Sequence, residues 1–137
     1  MKKKKCGLNC LSKYGSQFYS VFRILVGLMF FMHGAGKLFG WFGGTALPLN
    51  SLFGVAGIVE TLVGLALILG FWSRLAALGG AITMLVAYFY MHIGGGLNPL
   101  TNGGEVVILY FVAFLIIIRD GAGGWSLEKK LLDKEKF

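Results

Sequence analysis

Residues 22–44 read FRILVGLMFFMHGAGKLFGWFGG, an apolar run with Arg23, His33 and Lys37 set into it. A helix rises about 1.5 Å per residue and the hydrocarbon core of a bilayer is about 30 Å thick, so about 20 apolar residues suffice to span it. The run is long enough. Three more follow it, giving apolar stretches at residues 18–39, 52–72, 75–92 and 102–118. The last is short and spans only if the bilayer thins around it or its ends tuck into the bundle.

Composition agrees. Of the 137 residues 56% are hydrophobic and 14% charged, with mean hydropathy +0.74. A soluble domain carries about a quarter charged residues. The expected fold is therefore an all-α membrane protein, a four-transmembrane-helix up-down bundle. A basic tail occupies residues 1–17, the bundle residues 18–119, and an interfacial segment residues 120–137.

The net charge of +7 does not point to nucleic acid, because of where it sits. Lys2–Lys5 and Lys13 precede the first run, Arg74 lies between the second and third, and Arg119, Lys129, Lys130, Lys134 and Lys136 follow the fourth. Residues 40–51 and 93–104 hold no Lys or Arg. This is the positive-inside pattern. It predicts a multi-pass protein of the cell (inner) membrane with both termini cytoplasmic and basic ends on anionic headgroups. The first run is too long and too far in for a cleaved signal peptide, and no small-residue cleavage site follows it.

Gly70 is placed to end the second helix and Ser73 to cap the third, which makes those two a tight hairpin. Ser126 is a candidate N-cap for a short helix with Leu127, Leu131 and Leu132 on one side and Trp125 as its anchor at the membrane surface. Cys6 and Cys10 read as ordinary thiols, since disulfides rarely persist in a cytoplasmic tail. No His or further Cys lies near them to complete a metal site.

At about 100° per residue, Arg23, Gly27, Gly34 and Lys37 fall on one narrow arc with His33 beside it. The polar groups thus share the face whose glycines let another helix approach. An ionisable group inside the membrane is costly and is by default a candidate functional residue with a partner to be found. Glu60, in GIVETLVG, is too short to reach the interface. It is either protonated or paired with Lys37, His33 or Arg23. Counting rise from opposite ends puts His33 and Glu60 within a few ångströms in depth. Lys37 lies one turn above His33. His92 and Glu105 end and begin their helices on that same side, with Asn98 in the loop above.

Each has a plainer explanation. Glu105 follows Asn102 at capping-box spacing; Lys37 and Arg23 can snorkel; a Glu60–cation bridge can be structural. His33 and His92 are mismatched in depth for two axial haem ligands. No Cys lies in a span for zinc or an iron–sulfur cluster, and no phosphate loop is present. The sequence thus carries no haem, metal or nucleotide signal.

Several motifs in order resemble the DoxX family of small four-span membrane proteins: FRILVGLMFFMHGAGKLFG, GIVETLVGLALILGFWSRLAALG, MLVAYFYMHIGG, NPLTNGGEVVILY and GAGGWSLE. The family's usual Gly-Pro-Gly before an aromatic-Ser-Leu-Asp tail is here Gly121-Ala122-Gly123-Gly124-Trp125-Ser126-Leu127-Glu128. The resemblance implies polar positions at Arg23, His33, Lys37, Glu60, Arg74, His92 and Glu105. It also implies a membrane subunit like that of thiosulfate:quinone oxidoreductase, or of complexes handling thiol and oxidative stress. The resulting expectation is a quinone-linked oxidoreductase subunit. His33 and Lys37 would donate hydrogen bonds and Glu60 would relay protons, with Arg23, His92, Glu105 and Tyr88 completing the quinone site. Phe30, Phe31 and Tyr90 join Tyr88 as aromatic walls. A redox partner subunit or a homo-oligomer would accompany it. The alternatives are a non-enzymatic scaffold, assembly factor or small-molecule carrier and, last, a proton-coupled transporter.

Overall fold

Glycine spacing decides which helices meet. The computed structural model describes residues 8–134 and is helical, with no strand among them. A 3-10 segment, Leu8–Tyr14, leads into α1 (Gly15–Phe39). Helix α2 (Leu52–Leu69) and helix α3 (Ser73–Ala87) follow. Helix α3 is prolonged by a π-helical turn, Tyr88–His92, and a 3-10 turn, Ile93–Gly95. A single turn α4 (Pro99–Asn102), then α5 (Glu105–Asp120) and α6 (Leu127–Leu132), complete the chain.

Among the described residues three segments are long and apolar enough to cross a bilayer: Cys10–Phe39, Leu52–Leu69 and Ser73–Gly95. Helix α5 is apolar too, but its 16 residues reach only about 24 Å. Burial is inverted relative to a water-soluble protein. Leu25, Leu62, Ile82 and Leu109 are exposed, while Arg23, Glu60, Ser73 and Glu128 are buried. That is a surface made for acyl chains.

Helix α1 packs on α2 through backbone rather than side chains. A Cβ on Gly27 would lie 2.9 Å from the Gly64 carbonyl oxygen, one on Gly34 2.7 Å from that of Gly57, and one on Gly64 2.7 Å from the Phe31 Cα. The contacts advance along α1 as they retreat along α2, so these two helices run in opposite directions, and their close approach is what the small-residue face predicted. Helices α3 and α5 pair likewise: Phe114 fills the space over Gly80, and Tyr88 the space over Gly104. Between the two pairs lies a core of Phe30, Val63, Leu67, Ala77, Ala81, Met84, Tyr110, Phe114 and Ile117.

Gly70 does end α2, in the left-handed conformation at φ 67° with its N–H on the Ala66 carbonyl. Ser73 is not the N-cap of α3, however. Trp72 takes that position at φ 48° without a side-chain cap bond, and Ser73 is turned into the interior. Helix α5 starts at Glu105 rather than Asn102, because Gly103 at φ 73° breaks the chain. Ser126 caps α6 as expected, its Oγ accepting from the Lys129 N–H at 3.1 Å. Cys10 is disulfide-bonded, against the expectation of an ordinary thiol; Cys6 and Lys2–Lys5 lie outside the described residues.

Candidate functional site

The bundle has two unlike ends, one carrying the glycine-rich loops and one carrying the α2–α3 turn. Buried charge occurs at both. At the loop end, Lys37 on α1 meets Glu60 on α2. The ammonium donates to Oε1 and Oε2, both at 2.5 Å. Glu60 is 3% exposed. The depth count puts His33 level with Glu60 and Lys37 one turn higher; in the structure it is Lys37 that reaches the carboxylate. An ammonium has three donors, so Glu60 takes two and one is left over.

This ion pair lies in the wall of a cavity of about 390 Å³. Phe30, Glu60 and Tyr110, all buried, line it together with half-buried Lys37 and exposed His33, and the rest is almost entirely apolar, from α2, α3 and α5. Tyr110 stacks its ring among Phe30 and Phe114 at centroid distances of 5.3 and 6.1 Å. The His33 ring meets it edge-on at 5.8 Å. The Tyr110 hydroxyl is buried and has no hydrogen-bond partner among the described residues. Buried polar groups are rarely left so. In the sequence Tyr110 is one aromatic within an apolar run, with nothing in residue type to set it apart. Its depth, about 7.5 Å below the start of α5, was the signal that could have found it.

His92 also lines the cavity. Its Nδ1 lies 3.0 Å from the Asn102 carbonyl oxygen, which can only accept, so the proton is on Nδ1. In the neutral ring Nε2 is then an acceptor. The π-helical turn positions this ring, with the Ile93 N–H reaching back five residues to the Tyr88 carbonyl. A second, shallower cavity of about 360 Å³ lies under the loop at residues 40–47, and His33 and Lys37 border both.

Other expected site residues fall elsewhere. Tyr90 lines the main cavity, but the Tyr88 hydroxyl donates to the Leu97 carbonyl at 3.0 Å and holds the loop. Phe31 packs on Gly64. Glu105 is exposed in the first turn of α5 and outside the cavity wall. Asn102 serves the nearby backbone instead, its Oδ1 accepting from the Gly104 N–H at 2.8 Å. Asn98 caps α4 through the Leu100 N–H.

Arg23 is at the far end. Fully buried, it donates from Nη1 to the Ala122 carbonyl at 2.8 Å and from Nη2 to the Trp125 carbonyl at 2.6 Å. Around it, Ser20 Oγ accepts from the Trp125 N–H and Ser126 Oγ donates to the Gly70 carbonyl. Glu128 Oε2 accepts from the Trp72 N–H at 3.1 Å. Arg74 donates to the Ile118 and Arg119 carbonyls that end α5, a helix-end role. The GAGGWSLE motif is thus the tie that closes this end, and Arg23 is its centre.

Fold and site together define a small all-helical membrane protein with an apolar cavity over a buried ion pair. The chain belongs to the DoxX family, whose sequence profile matches residues 18–93. It is 36% identical over 134 residues to an uncharacterized protein of Haemophilus influenzae, covering 93% of this chain and all of that one. A second uncharacterized protein of the same organism is 34% identical over 82 residues, 60% of this chain and 54% of its own. No solved structure matches.

Proposed function

We propose that the protein is a subunit of a quinone-linked oxidoreductase and that the loop-end cavity takes the quinone ring. The observation that carries this reading is Tyr110, its buried hydroxyl without a partner among the described residues, in the lining of a cavity that also contains Lys37 and Glu60. A quinone is a flat apolar ring with carbonyls that accept hydrogen bonds. Tyr110 and the third Lys37 donor supply those bonds, and Phe30 and Tyr90 supply apolar wall. The volume of about 390 Å³ falls in the range of about 300–1,000 Å³ usual for small-molecule sites.

A bound quinone accepts two electrons and two protons. The chain's own part is to hold and exchange the protons, between Lys37 and Glu60 in the wall and toward the loop through His33, which borders both cavities. The electrons come from a partner subunit or a thiol or sulfur substrate on the loop side. The arrangement of a four-span up-down bundle in the cell membrane, with both termini cytoplasmic and the loop end outward, fits the charge pattern and is part of the same proposal.

The test is a lipid extract of the gently solubilised protein, with melting curves on added quinone. Co-purified quinone and a raised Tm support the reading; an extract without quinone and a Tm that quinone leaves unmoved end it.

A second reading, a non-enzymatic scaffold or carrier, is favoured by one observation. Lys37 and Glu60 bind each other and join α1 to α2, as a purely structural bridge would. Glu60→Gln separates the two. If it abolishes quinone response while the protein stays folded, the oxidoreductase reading stands. If it melts the bundle or releases a co-purifying partner with no change in quinone response, the scaffold stands.

A further inference from the structure

Resting on the quinone reading for the identity of the head, we infer that the cavity opens sideways into the bilayer between α2 and α3. It then takes a chain-bearing amphiphile, polar head inward and apolar tail outward through that fork.

The two helices are bound together at one end only. The short turn around Gly70 joins them, and at mid-height a Cβ on Gly79 would lie 3.8 Å from the Val63 side chain. Beyond that level, toward the loops, the cavity lies between them. Its wall changes character with depth. At the interior are Glu60 at 3% exposure and Tyr110 at 8%, with the polar atoms of the site. At the rim are Ile82 and Val86 on α3 and Leu52 and Val55 on α2, all apolar and 47–54% exposed.

A site for a compact soluble ligand would put polar groups at its mouth, where the ligand sheds water. Here the mouth is largely apolar, Tyr90 at 66% exposure being the exception, and the helix faces beside it are those exposed for lipid. A head that needs hydrogen bonds and a tail that needs none match that gradient. Each buried methylene of such a tail contributes about 0.8 kcal/mol, so the tail adds affinity only if it has a way out.

The test compares one benzoquinone ring carrying an isoprenoid tail of several units with the same ring carrying a methyl group instead. Binding to the full-length protein in phosphatidylcholine nanodiscs is measured by a tryptophan-fluorescence titration. Val86→Trp fills the mouth at an exposed position and should weaken the tailed ring at least tenfold while leaving the tail-less ring unchanged. Ile82→Trp, one turn away, should do the same. Equal effects on both rings, or none on either, overturn the fork.

A second measurement decides the fork without a quinone. Val86→Cys, in a Cys6→Ser/Cys10→Ser background, carries a bimane label in phosphatidylcholine vesicles. Quenching by doxyl-labelled phosphatidylcholine and not by iodide is expected, with Thr45→Cys in the loop showing the reverse. Iodide quenching at Val86 overturns the inference. Failure of both rings to bind the wild-type protein ends the quinone reading, and the quench result then stands by itself for the fork.

Discussion

Arg23 and Lys37 sit on one face of one helix and have opposite circumstances. Around Arg23 the chain folds back and supplies its own acceptors, the carbonyls of Ala122 and Trp125. Around Lys37 it supplies a single carboxylate and leaves a cavity beside it, with a phenol hydroxyl that nothing in the described chain satisfies. Arg23 is fully buried, and the Lys37 side chain is 28% exposed beside its buried carboxylate. What separates the tie from the site is what surrounds each cation: backbone carbonyls close on Arg23, and a cavity opens beside Lys37.

That contrast can be broken by substitution. Arg23→Ala should cost the most, about 3–5 kcal/mol, as expected when a buried charged group is removed from its partners. A thermal melt in detergent would show it, and Arg23→Lys should not restore the loss, because one ammonium cannot repeat a planar fork over two carbonyls. Gly34→Val comes next, at about 3 kcal/mol, since its Cβ meets α2 backbone that cannot give way. Reduced Tm together with loss of helix pairing, read by crosslinking α1 to α2, would check it.

Ser126→Ala removes the α6 cap and its bond to Gly70, at about 1 kcal/mol, and should free the C-terminal segment to proteolysis before the bundle unfolds. Tyr110→Phe should do least to stability, leaving Tm unchanged or slightly raised because a buried unsatisfied hydroxyl disappears. It should nevertheless weaken ring binding by about fivefold, or about 1 kcal/mol. A Tm fall of several degrees in Tyr110→Phe would erase the distinction between the two ends.

Much of the loop end was legible because membrane burial makes depth a coordinate. Counting rise from opposite ends put Glu60 level with His33 and within a turn of Lys37, its actual partner, and the Gly27–Gly34 face pointed to close helix packing. The turn end was not legible in that way. The acceptors of Arg23 are backbone carbonyls 99 and 102 residues away, and every residue has a carbonyl, so no residue type announces them. Arg23 is grouped with the site by the family resemblance, although its bonds lie at the other end. Helix ends were legible where glycine takes a left-handed φ, as at Gly70, and misread where Trp72 does so.

The π-helical turn at Tyr88–His92 carries one consequence for comparison among relatives. An extra residue wound into a helix shifts the phase of all that follows by about 100°. A relative lacking one residue here would keep its hydropathy profile and every motif, yet point its counterpart of His92 away from the chamber. Aligning by sequence alone would match those two imidazoles; aligning by rotation about the axis would not.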